Sequence, residues 1–223
     1  MNTEPKLSQF LVRHRSPLLA LVLIVEMLIS PAADYHPHLG GLLAGLMWLV
    51  LIVAARYMAS RGVLRWVILP LAAIWLIARL LEAFANPTHQ YWRAAPLAGL
   101  ALSIALVCGI IERAHNQPRT MNTAIAEAII AYLLIAVSFG QVYWILNQEL
   151  PNAFNQVISP HALSTLLYFS MVTMSSVGYG YIVPLNPYVR MVAAFESITG
   201  IFYIAVVVAR LVSLYGSRRK LQE

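Results

Sequence analysis

Apolar runs long enough to cross a bilayer recur along almost the whole chain, and that pattern leaves few folds open. A hydrocarbon core of roughly 30 Å needs about 20 helical residues. Runs at about 16–33, 40–58, 64–85, 92–112, 121–148 and 188–214 meet that need and predict six transmembrane helices. One further apolar segment, 160–174, is too short to cross. With 60% of the 223 residues hydrophobic and only 11% charged, the chain cannot cover a water-facing surface of ordinary polarity. The expected fold class is an all-α membrane protein, with six transmembrane helices plus one re-entrant helix and its loop.

The cationic residues set the expected topology. Lys6, Arg13 and Arg15, then Arg56, Arg61 and Arg65, then Arg113 and Arg119, then Arg218, Arg219 and Lys220 fall in alternate connections, whereas the intervening ones hold only Arg93 and Arg190. Positive residues collect on the cytoplasmic side, so both termini are expected there, in a multi-pass protein of a bacterial-type cell inner membrane. The net charge of +6 is scattered over these connections and not gathered on one face, which argues against nucleic acid as a partner. The first run has no small-residue cleavage site followed by a soluble chain and is expected to remain as an anchor. Cys108 has no partner in its own chain, which excludes an internal disulfide and a cysteine metal site. The expected organisation is a cytoplasmic N-terminus at 1–15, a four-helix membrane domain at 16–118, a second membrane domain at 119–215 and a short cytoplasmic tail at 216–223.

This topology puts the 149–187 connection outside, so segment 160–174 dips into the membrane and returns. Non-helical backbone at membrane depth is tolerated only where protein buries it or where it lines a watery path, so a re-entrant element marks a permeation or binding site. Ser159 can cap a helix and Pro160 suits its first position, predicting a helix from about Pro160 to Met174. Its C-terminal dipole end, pointing into the membrane, favours a cation. Val177-Gly178-Tyr179-Gly180 then sets glycines at alternate positions of an otherwise apolar stretch. If four copies meet around an axis, alternating backbone conformations can turn the carbonyls of Ser176, Val177, Gly178 and Tyr179 inward as stacked oxygen rings that replace the water of a potassium ion. The Ser176 hydroxyl adds a lower ring.

The run Ser175-Ser176-Val177-Gly178-Tyr179-Gly180 resembles the Thr-Val-Gly-Tyr-Gly signature of tetrameric potassium channels, with the aromatic pair of their pore helix matched by Tyr168 and Phe169. The resemblance covers about residues 121–215. It implies a homotetrameric potassium channel with no cofactor and no catalytic residue, potassium being the permeant ion. It further implies a filter at Ser175 to Gly180, potassium bound at Ser176, Val177, Gly178 and Tyr179, and filter support from Tyr168, Phe169, Thr173 and Tyr181. The last span looks like the inner helix of that family, with Gly200 at the position of its gating hinge. Four residues depart from the family pattern, Ser175 and Ser176 standing where threonines are more common. Tyr181 stands where Asp is common, and Val172 where a supporting Glu sometimes sits, so the usual acidic support behind the filter is absent. A weakly selective cation channel and a non-conducting sensor or scaffold subunit are the alternatives.

A voltage sensor needs a basic residue at every third position of the fourth span. The span 92–112 holds only Arg93, so strong voltage gating is not expected, and the first domain resembles a sensor scaffold without gating charges. Ionisable residues in or near spans are Glu26, Arg79, Glu82, Glu127, Glu196 and Arg210. Arg79 and Glu82, three apart, can pair with each other. Glu196, one turn before Gly200, either bonds to the base of the pore helix or faces the cavity and gathers cations; a buried carboxylate's need for partners favours the bond. Arg210 fits a snorkelling interfacial residue, and Glu127 is a candidate partner for it. His36, His38, His89, His115 and His161 read as interfacial histidines without metal spacing.

Overall fold

The computed structural model describes residues 16–17, 19–25, 27–31, 68, 70–75, 77, 94–116, 120–159 and 163–219. Among these the chain is helical, with no strand beyond one isolated antiparallel bridge between Phe154 and Pro184. Four helices carry the architecture: α1 (Ala94–Asn116), α2 (Met121–Glu149), α3 (Leu163–Met174) and α4 (Pro187–Arg219). The described residues include three stretches apolar and long enough to cross a membrane, Pro96–Arg113, Met121–Glu149 and Pro187–Arg210. At 1.5 Å per residue, the 12 residues of α3 reach only about 18 Å, roughly half a bilayer core. The second expected span lies outside the described residues and the third largely so, whereas most of the first is described and helical; Pro160 and the remainder of the expected start of α3 also lie outside them.

Local chemistry fixes the helix ends. Thr120 caps α2 in an extended conformation, its hydroxyl accepting from the Thr123 N–H at 3.4 Å. Pro151 follows immediately after the α2 C-cap Leu150 and cannot continue the helix. At the start of α4, the Asn186 side chain accepts from the Tyr188 N–H at 3.0 Å while Pro187 takes the first helical position.

Two cores hold the helices together. The first gathers Leu19, Leu23, Ile68 and Trp75 with Leu102 and Ile110 of α1 and Ile130 and Leu134 of α2. The second surrounds α3. Tyr143 and Trp144 of α2, Phe154 and Ile158 of the following loop, Leu166 and Phe169 of α3, and Ile182, Val189 and Ala193 pack there. Its centre is a set of edge-on rings, with Tyr143 and Phe169 centroids 4.8 Å apart and Phe154 and Phe169 5.2 Å apart. Helix α3 is thus wedged between α2 and α4.

Candidate functional site

Helix α3 ends in a turn that determines the geometry of everything after it. The Val177 N–H reaches back to the Val172 carbonyl at 3.0 Å, and the Ser176 N–H to the Thr173 carbonyl at 3.0 Å. This paired closure is the Schellman motif, which requires a left-handed residue at the position of Ser176. Ser176 has φ 60°, in a place where glycine is the usual occupant. The Val172 carbonyl also accepts from the Gly178 N–H at 3.3 Å and the Ser175 hydroxyl at 3.3 Å.

Beyond this turn, φ is again positive at Gly178 (57°) and Gly180 (77°). Positive φ therefore falls on residues 176, 178 and 180, and successive peptide units flip in alternation. Such alternation can align carbonyls along one side of a strand, which neither a helix nor a pleated strand does. The side chains of residues 175–180 are exposed in the single chain, Val177 at 52% and Tyr179 at 74%.

The supporting residues divide into two groups. Phe169 is buried within the aromatic core, and Thr173 is half-buried. Tyr168 and Tyr181 are exposed in the single chain, and the chain contacts Tyr181 through its carbonyl, which accepts from the Asn155 side-chain amide at 3.3 Å.

Glu196 is fully buried between three helices. Tyr143 of α2 donates to its Oε2 at 2.6 Å, and the Ser170 hydroxyl of α3 lies 2.5 Å from its Oε1. Ser170 also lies 2.7 Å from the Ala136 carbonyl of α2, so one carboxyl and one hydroxyl join α2, α3 and α4. Four residues further along, Gly200 meets the end of α3. A Cβ there would collide with the Met174 carbonyl oxygen and come within 2.9 Å of the Met174 carbonyl carbon. Helix α4 runs unbroken through this point. Three residues further along, Tyr203 donates to the Ala128 carbonyl of α2 at 2.6 Å.

Partners that composition and spacing did not indicate also prove central. Glu127, a candidate partner for Arg210 by sequence position, pairs with Arg113 of α1 at 3.4 Å, with both side chains buried. Tyr143 and Asn155 are likewise partners of the site. A tyrosine in an apolar span and an asparagine in a polar loop carry no spacing signal, because their roles depend on contacts 53 and 28 residues away. Glu26, Arg79, Glu82, His36, His38, His89 and His161 lie outside the described residues, as does the side chain of His115.

A half-length helix that ends in alternating backbone thus lies between two long apolar helices. The family model described as ion channel matches residues 124–216, the stretch from α2 to near the end of α4. No curated protein and no solved structure matches the chain.

Proposed function

We propose that this chain is one subunit of a homotetrameric, potassium-selective channel, with Ser175 to Gly180 as its filter and potassium held at Ser176, Val177, Gly178 and Tyr179. The observation that carries this reading is the alternation of positive φ at Ser176, Gly178 and Gly180 directly after the C-terminus of α3. Potassium filters are rings of backbone carbonyls that replace the hydration shell of the ion, and alternating peptide orientation supplies one such ladder per chain.

Solvent physics supports assembly around an axis. Lipid offers no hydrogen bonds to backbone groups, so irregular backbone at membrane depth must be covered by protein or wetted by a pore. Residues 175–180 are covered by neither in the single chain, and one strand cannot surround an ion. Helix α4 adds a long uncovered apolar face, including Met191, Phe195, Ile198 and Phe202, suited to neighbouring copies and lipid. On this reading α3 is the pore helix and α4 the inner helix, both termini are cytoplasmic, and the four-helix domain contributes no gating charge.

The test is potassium uptake into liposomes holding the purified protein, with barium as blocker. The expected result is uptake that barium abolishes and that Gly178→Asp and Gly180→Asp each eliminate while the tetramer persists. Undiminished uptake in both variants would contradict the filter assignment.

A further inference from the structure

The strand that leaves residues 175–180 is fastened to the chain at one polar side chain. The Asn155 carboxamide Oδ1 accepts from the Val183 N–H at 2.9 Å, and its Nδ2 donates to the Tyr181 carbonyl at 3.3 Å. The Asn155 N–H in turn donates to the Val183 carbonyl at 2.9 Å. One residue thereby makes three hydrogen bonds to the strand, at Tyr181 and Val183. Next to it, the Ala153 carbonyl accepts from Leu185 N–H at 3.0 Å and Asn186 N–H at 3.3 Å, extending the attachment to the α4 cap.

The fork has a rigid base. Phe154, the residue before Asn155, is buried, with its ring edge-on to Phe169 of α3 and to Tyr143 of α2. The Asn147 side chain of α2 donates to the Ile158 carbonyl at 3.2 Å and pins the far end of the same loop. Position 155 is therefore fixed relative to the helix that precedes the filter.

Upstream, the last intrachain anchor of the filter is the Gly178 N–H on the Val172 carbonyl. Downstream, the first is the Tyr181 carbonyl on Asn155. Among the described residues no intrachain hydrogen bond holds Tyr179 or Gly180, which hang between these two points. Two hydrogen bonds from one carboxamide thus set where the outer half of the carbonyl ladder ends. Acidic residues are absent from both Val172 and Tyr181, and a neutral amide takes up the strand instead.

We infer that Asn155 is a positioning residue for ion selectivity, a clamp on the outer end of the filter acting from the loop that precedes the pore helix. This rests on the potassium-filter reading. A ladder released at its outer end widens and rehydrates, so sodium gains access before potassium is lost.

The experiment compares wild type, Asn155→Ala, Asn155→Asp and Asn152→Gly in two measurements, the sodium-to-potassium permeability ratio in planar bilayers and amide hydrogen exchange of a peptide spanning 177–186. Asn155→Ala is expected to raise the ratio on the order of fivefold and to speed exchange, since both side-chain bonds are lost. Asn155→Asp keeps an acceptor for Val183 but loses the donor to Tyr181, and is expected to fall between. Asn152→Gly, in the same loop at φ 50°, is expected to change neither. An unchanged permeability ratio in Asn155→Ala overturns the selectivity role even if exchange rises. If the wild type passes no ions, the channel reading fails, and unchanged exchange in Asn155→Ala would then overturn the clamp as well; faster exchange there would support it.

Discussion

Gly200 of α4 stands against the carbonyl of Met174, the last residue of α3, so closely that a single methyl group at residue 200 has no room. Glycine inside a helix ordinarily costs about 1 kcal/mol relative to alanine. Gly200→Ala would stabilise an isolated helix, yet here the added carbon meets backbone, which cannot rotate away. The expected outcome is therefore a lower unfolding temperature in detergent and, on the proposed channel reading, a less stable tetramer and reduced potassium flux. A stabilised tetramer with normal flux would show that α4 can withdraw from α3 freely. This crowding gives Gly200 a packing role independent of any hinge.

The Tyr143–Glu196–Ser170 bridge predicts a graded series. Interhelical hydrogen bonds in membrane bundles average about 0.6 kcal/mol and reach about 1.7. Tyr143→Phe removes one donor and is expected to cost about 1 kcal/mol, whereas Glu196→Ala removes the acceptor of two contacts and leaves a void, costing about 2–3 kcal/mol. Unfolding in detergent checks the order. Equal, negligible losses would mean the bridge is not formed in the membrane.

Ser176 carries two demands that different substitutions separate. Ser176→Gly relieves a left-handed conformation costing about 1 kcal/mol while deleting the hydroxyl; Ser176→Ala deletes the hydroxyl and keeps the strain. On the proposed filter reading both are expected to weaken block by internal barium, because the lowest oxygen ring would be lost, but only Ser176→Gly should raise the unfolding temperature. Barium block unchanged in both would remove the hydroxyl from the ion path.

Arg113 and Glu127 form a buried charge pair between α1 and α2. Removing one partner of such a pair commonly costs about 3–5 kcal/mol, while replacing both with apolar side chains is often neutral. Glu127→Ala is expected to destabilise the chain strongly, and Arg113→Met with Glu127→Leu to recover most of that loss. Additive losses in the double variant would argue that each charge has an independent partner.

Much of the architecture was readable in the residues because the bilayer imposes length and apolarity on every span. The boundaries of α1, α2 and α4 fall within a few residues of those that hydropathy predicts, except that α4 continues to Arg219, past the expected end at 214. Segment 163–174 forms the short helix that its length required. Glycine at 178 and 180 announced unusual backbone, because only glycine takes positive φ without cost. Ser176 gave no such signal, since its left-handed conformation is imposed by the closing turn of α3. Asn155 and Tyr143 were equally silent. Their partners lie far along the chain, and a polar side chain in a loop or an aromatic one in a span has many ordinary uses.

Reversal potential under bi-ionic conditions, potassium on one side of a planar bilayer and sodium on the other, tests the central claim most directly. A potassium filter at Ser175 to Gly180 predicts a potential displaced toward potassium equilibrium, with discrimination of at least about tenfold, or about 1.4 kcal/mol. A reversal potential near zero with robust current would contradict it and leave a cation pore without a potassium filter.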